Sequence, residues 1–113
     1  LLTDHCDLLI LPTTPDTLSL DALVLTVNCL NDINARRYRI LLTVVPPSPS
    51  QAGEEVRSLL VKENLPVLAN SIPRLAAFQK AATDGVIVHD IKDPRSPAAW
   101  AAYQAVTTEL LQA

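Results

Sequence analysis

The chain has 113 residues, the size of one ordinary domain. Apolar residues make up 49% and charged residues 19%, against roughly 25% charged in an average soluble domain, yet no apolar run approaches the ~20 residues needed to cross a bilayer. A formal net charge of −3 excludes a wholesale basic nucleic-acid binder while leaving room for a local basic patch. No basic stretch precedes an apolar one as in a secretory signal, and Cys6 and Cys29 have neither metal-ligand spacing nor the pattern of a disulfide framework. The expectation is a soluble, cytoplasmic α/β protein. The absence of methionine, and of any glycine cluster around Gly53 or Gly85, points to an incomplete unit without a phosphate-cradling loop.

In chain order, 7–12 (DLLILP) is a continuous apolar run closed by proline, and 38–45 (YRILLTVV) is a second. Residues 65–69 and 86–88 are shorter candidates. Runs that are apolar at every position predict strands buried on both faces of a parallel sheet. Between them, Leu20, Leu23, Val24, Val27 and Leu30 share one helical face. Ser48, Pro49 and Gln51 read as a capping box opening a helix that buries Val56, Leu59 and Leu60. Leu75, Phe78 and Ala82 mark a third helix, with Gly85 supplying the left-handed turn at its end. Ser96 and Pro97 open a fourth, with Ala99, Tyr103, Val106 and Leu110 inward. The alternation predicts right-handed crossovers, a mainly parallel sheet and helices on both faces. Leu8 to Leu11 have the composition of a central strand, so neighbouring strands from an upstream half are expected on its free edge, the alternative being cover by a partner copy or by the C-terminal segment.

Four segments together resemble the C-terminal half of the ParA/MinD family of deviant Walker-A ATPases, ParA more closely than MinD. They are DLLILPTTPDTLSLDAL at 7–23, RILLTVVPP at 39–47, LPVLANSIPRLAAFQKAATDGVIVHD at 65–90 and DPRSPAAWAAYQAVTTELL at 93–111. The ordered set spans nearly the whole chain, residues 1–113, as the C-terminal portion of such a domain. Its most specific stretch runs from Ile72, Pro73 and Arg74 to the Asp93–Arg95–Ser96 segment. The resemblance implies part of a P-loop NTPase fold like that of the nitrogenase iron protein. The family's Walker A and Walker B motifs lie upstream of the matched region, so no catalytic residue maps onto this chain and its own enzyme status stays open.

The resemblance further implies that Thr43, Val44, Val45, Ile72, Pro73 and Arg74 border the adenine and ribose of ATP or ADP. Mg2+ belongs to the complete protein, and no tight nucleotide binding is expected of this chain alone. Ligands of open parallel sheets do sit beyond the carboxyl ends of the strands. Where some relatives place asparagine or arginine after the second strand, this chain has Val44, Val45, Pro46 and Pro47, so recognition there would rest on backbone groups; the prolines equally serve to stiffen a loop. Nonspecific DNA contact is implied at Arg74, Lys80, Lys92 and Arg95, although 73–96 holds four basic against three acidic residues and nets only +1. A nucleotide-dependent homodimer, a ParB-like stimulating protein and a nucleoid-associated location complete the expectation. The tail AVTTELLQA has no basic residue, which disfavours a membrane-surface helix. The alternative is a stand-alone, non-enzymatic α/β interaction module.

Other candidates read more plainly. Asp4, His5, Cys6 and Asp7 are consecutive and point in alternating directions, a poor metal site. His89 beside Asp90 reads as surface, Cys29 as a small core residue, and Trp100 with Tyr103 as core or interface anchors. Arg36, Arg37 and Arg39, the densest basic cluster, read as a solvated turn before a strand, with DNA contact as the lesser alternative.

Overall fold

A computed structural model describes residues 5–112. The chain is α/β: β1 (Leu9–Thr13), α1 (Thr17–Asp32), β2 (Tyr38–Leu42), α2 (Ala52–Lys62), α3 (Ala76–Asp84), a 3-10 turn (Val88–Asp90) and α4 (Ser96–Leu111). β1 and β2 pair in parallel, with Leu9 opposite Tyr38 and Thr13 opposite Leu42. The pleat sends alternate side chains to opposite faces. Ile40 and Leu42 join Leu23, Val27 and Leu30 of α1 and Val56 and Leu60 of α2 on one face. Leu41 meets Leu68, Ile72 and Val106 on the other, beside α3 and α4. Helices therefore lie on both faces, as the period predicts. No strand among the described residues pairs with the outer edge of β1.

The third predicted strand is present only in part. Residue 67 bridges Ile40 and residue 73 bridges Val45, both in parallel sense. Between them the ladder slips: the Ile72 N–H reaches the Leu42 carbonyl at 2.9 Å, and the backbone around residues 69 and 70 bulges out of the sheet. Glu109 of α4 caps the bulge. Its carboxylate accepts from the N–H groups of Ala69 (2.7 Å) and Asn70 (2.9 Å) and from the Asn70 side-chain amide (2.9 Å). A carboxylate thus takes the place of a strand partner for two N–H groups that the slipped ladder leaves without one.

Helix ends follow local chemistry. Asp16 caps α1, its carboxylate accepting from the Ser19 N–H at 2.9 Å and from the hydroxyls of Thr14 and Ser19. The Thr14 hydroxyl first, then Ser19, holds this carboxyl below its ordinary range. Gly85 closes α3 in the left-handed conformation, as its position predicts. Asn34 and Asn64 adopt the same left-handed conformation after α1 and α2, with the N–H groups of Ala35 and Leu65 returning to Leu30 and Leu60.

Four expectations are corrected. Residues 86–88 form no strand; Val88 starts the 3-10 turn and is buried among Ala77, Ala81 and Ala99. The Ser96 hydroxyl holds the Val88 carbonyl at 2.7 Å, satisfying the group a strand would have paired. The capping box at Ser48 does not form: α2 begins at Ala52, whose N–H meets the Ser50 hydroxyl at 3.3 Å. Cys29 is exposed, because α1 turns Leu23, Val27 and Leu30 inward and Cys29 away from them. Val24, Leu59 and Tyr103, expected inward, are about half exposed or more, since each stands at the margin of its helix's apolar arc.

Candidate functional site

Beyond the carboxyl end of β2 the chain departs from the sheet in two linked turns. The Thr43 N–H still bonds the Thr13 carbonyl at 2.9 Å. Val44 then takes φ of +53°, a conformation that crowds a β-branched side chain. The Val45 N–H donates to the Ile72 carbonyl (3.1 Å), and the Arg74 N–H donates to the Val45 carbonyl (2.8 Å). These bonds lock 43–45 against 72–74, and the Val44 N–H and carbonyl take no part in them. A strained residue held by its surroundings at the end of a strand marks a candidate site.

The two turns form one wall of a cavity of about 820 Å³. Thr43, Val44, Ile72, Pro73 and Arg74 line it, five of the six residues expected at the nucleotide. Val45 is the exception: it packs against the α1–α2 core. The opposite wall comes from α3 and α4 and includes Phe78, Trp100 and Tyr103. Phe78 meets Tyr103 edge-to-face at 5.6 Å between ring centroids, and Trp100 meets His89 in the same manner at 5.1 Å. Arg74 is the one charged residue among the lining residues. An apolar, partly aromatic cavity with one cation and free backbone polar groups suits a planar heterocycle bearing an anionic substituent. The lining includes no carboxylate. The aromatic wall was readable only as anchoring residues, because the pairing of Phe78 with Tyr103 depends on how α3 and α4 pack.

The four basic residues expected at DNA divide. Lys80 and Lys92 share a second cavity of about 640 Å³ along α3, together with Asp84 and Asp90, which balance their charge. The Lys80 ammonium is bound to Asp93 at 2.5 Å, and the same carboxylate accepts from the Arg95 N–H at 2.8 Å. The Lys80 hydrogen bond, then the Arg95 N–H, holds Asp93 below the ordinary carboxylate range. Asp93 thereby ties the Lys80 side chain to the backbone at Arg95. Arg74 precedes α3 and belongs to the larger cavity instead.

Arg36 and Arg37 line a smaller cavity of about 300 Å³ with Cys6 and Asp7, while Arg39 donates to the Tyr38 carbonyl at 2.9 Å. His89 is exposed and bonded to Asp90 at 3.0 Å. Among the described residues no three His, Cys, Asp or Glu side chains gather as a metal site; Asp4 lies outside those residues. No helix among them is long and apolar enough to cross a membrane. No family model matches the chain, and comparison with curated proteins finds no match.

Proposed function

We infer that the chain acts as the C-terminal part of a ParA-like partition ATPase, receiving the adenine end of ATP or ADP in the cavity beside Val44 and Pro73. The observation that carries this reading is the convergence of Thr43, Val44, Ile72, Pro73 and Arg74, distant in sequence, on one largely apolar cavity at the carboxyl end of β2. The ring would lie against Ile72, Pro73 and the aromatic wall. The Val44 backbone would supply hydrogen bonds to its edge, and Arg74 would face the charged end. When bound in the complete protein, ATP with Mg2+ supplies the energy of the dimerisation cycle, and the phosphate end falls to residues outside this chain. Lys80, Lys92 and Arg95 would offer the DNA contacts.

In this reading the complete protein dimerises with nucleotide on nucleoid DNA, and a ParB-like protein stimulates its release. Filter binding on the complete protein tests it. ATP-dependent retention of nonspecific DNA, strongly weakened by raised salt, is expected; no retention at low salt overturns the reading. A stand-alone interaction module is favoured by one feature, the exposure of Leu18 and Leu25 on α1.

A further inference from the structure

The cavity beside Val44 and Pro73 is lined by five polar side chains, those of Thr43, Arg74, Gln79, Trp100 and Tyr103. Among the described residues none of the five spends its polar side-chain atoms on a hydrogen bond or ion pair within the chain. Thr43 and Tyr103 offer one hydroxyl each, while Arg74 and Trp100 can only donate. Gln79 is the one lining residue that sets a donor and an acceptor side by side in a plane, its amide NH2 and C=O. α3 turns Ala77 and Ala81 into the core and leaves Gln79 exposed. Gln79 also borders the second cavity along α3, so it stands at the margin between the two.

The apolar walls of the cavity suit the two faces of a flat ring, and every aromatic base has such faces. Which base fits is decided at the ring's edge, by the polar groups that meet it. Resting on the nucleotide reading above, we propose that Gln79 is a specificity-determining residue that reads the N6–N7 edge of adenine. Its amide NH2 donates to N7 and its carbonyl accepts from the 6-amino group, the bidentate pairing by which an amide side chain recognises adenine. The Val44 backbone takes the N1 side, so the two hydrogens of the 6-amino group go one to each wall. Guanine and hypoxanthine present two acceptors, O6 and N7, along the same edge. The Gln79 carbonyl then faces O6, and one of the two contacts turns repulsive. A neutral hydrogen bond at an exposed side chain changes affinity by about 3- to 10-fold.

The test is a double-mutant cycle with one arm in the ligand, followed by NMR titration of the 15N-labelled chain. Wild type and Gln79→Ala are each titrated with adenosine and with 7-deazaadenosine, which keeps N1 and the 6-amino group but carries C–H in place of N7. Gln79 is exposed and alanine suits a helix, so the variant keeps its fold. The wild type should bind 7-deazaadenosine about 3- to 10-fold more weakly than adenosine, and Gln79→Ala should bind the two within about twofold of each other. Gln79→Glu should reverse the preference, because its carboxylate still accepts from the 6-amino group but repels the N7 lone pair. A wild type that binds both nucleosides equally, or a preference for adenosine that survives in Gln79→Ala, would overturn the assignment of Gln79 and leave adenine in the cavity. No saturable shift with adenosine up to about 10 mM would overturn the nucleotide reading, and this assignment with it.

Discussion

Removing the Glu109 carboxylate should loosen the bulge at residues 69 and 70 and, through it, the turn that carries Pro73 and Arg74. Three donors converge on this carboxylate, two of them backbone N–H groups at 2.7 and 2.9 Å. A hydrogen bond to a charged group contributes about 1.5–3 kcal/mol when protected. Glu109 is only partly buried, so water replaces some of that loss and the bonds do not add in full. Glu109→Ala should therefore cost about 2–3 kcal/mol, and Glu109→Gln about 1–2 kcal/mol, because its amide turns one donor against another donor. For a domain of this size these correspond to a fall in Tm of about 4 °C per kcal/mol.

The effect should also depend on pH. Burial alone would raise the Glu109 pKa, but the N–H groups of Ala69 and Asn70 and the Asn70 amide outweigh it and hold the group below its ordinary 4.5. A depressed folded-state pKa means that the stabilisation is complete above the unfolded-state value and is lost as pH falls through the folded one. Urea unfolding followed by circular dichroism should show the full difference between the wild type and Glu109→Gln at pH 7, shrinking progressively below about pH 4.5. A difference under about 0.3 kcal/mol at pH 7, or one that stays constant into acid, would refute the reasoning.

Three further outcomes follow from the same geometry. Val44→Gly should stabilise the chain by about 0.5–1 kcal/mol in thermal melts, since it relieves a φ of +53° on a β-branched residue and partly offsets that with a freer unfolded chain. Gly53→Ala should destabilise by about 1–2 kcal/mol despite alanine's better helix propensity: its Cβ would stand 2.6 Å from Val45 Cγ1, and a branched side chain backed by the core has little room to yield. Arg95→Glu in the complete protein should lower DNA retention in filter binding several-fold and leave ATP affinity unchanged; an equal fall in ATP binding would make its role structural.

Much of the architecture was legible because it rests on local pattern. The apolar runs at 7–12 and 38–45 gave both strands, and the helical spacing of Leu23, Val27 and Leu30 gave the buried face of α1. What escaped depends on contacts distant in sequence. Glu109 and Asn70 are 39 residues apart, and no periodicity announces that a carboxylate will cap a bulge. The run at 86–88 is too short to reveal its period, and the bond from Ser96 to Val88 settles it as a turn. Asn34 and Asn64 did carry a signal, since asparagine is the next choice after glycine for a left-handed helix end. At the candidate site, Pro73 and Arg74 were readable from a resemblance, whereas the wall formed by Phe78, Trp100 and Tyr103 arises from the packing of α3 on α4.

Adenine binding in the cavity between Val44, Pro73 and α4 can be read directly, because Trp100, the single tryptophan of the chain, lines that cavity. Its fluorescence should change saturably as adenosine is added, with a Kd of about 1 mM, and ADP should bind at least as tightly because Arg74 would face its charged end. Guanosine should bind at least about tenfold more weakly, because its altered edge mismatches the Val44 backbone groups. No saturable change up to about 10 mM, or equal response to guanosine, would contradict the account.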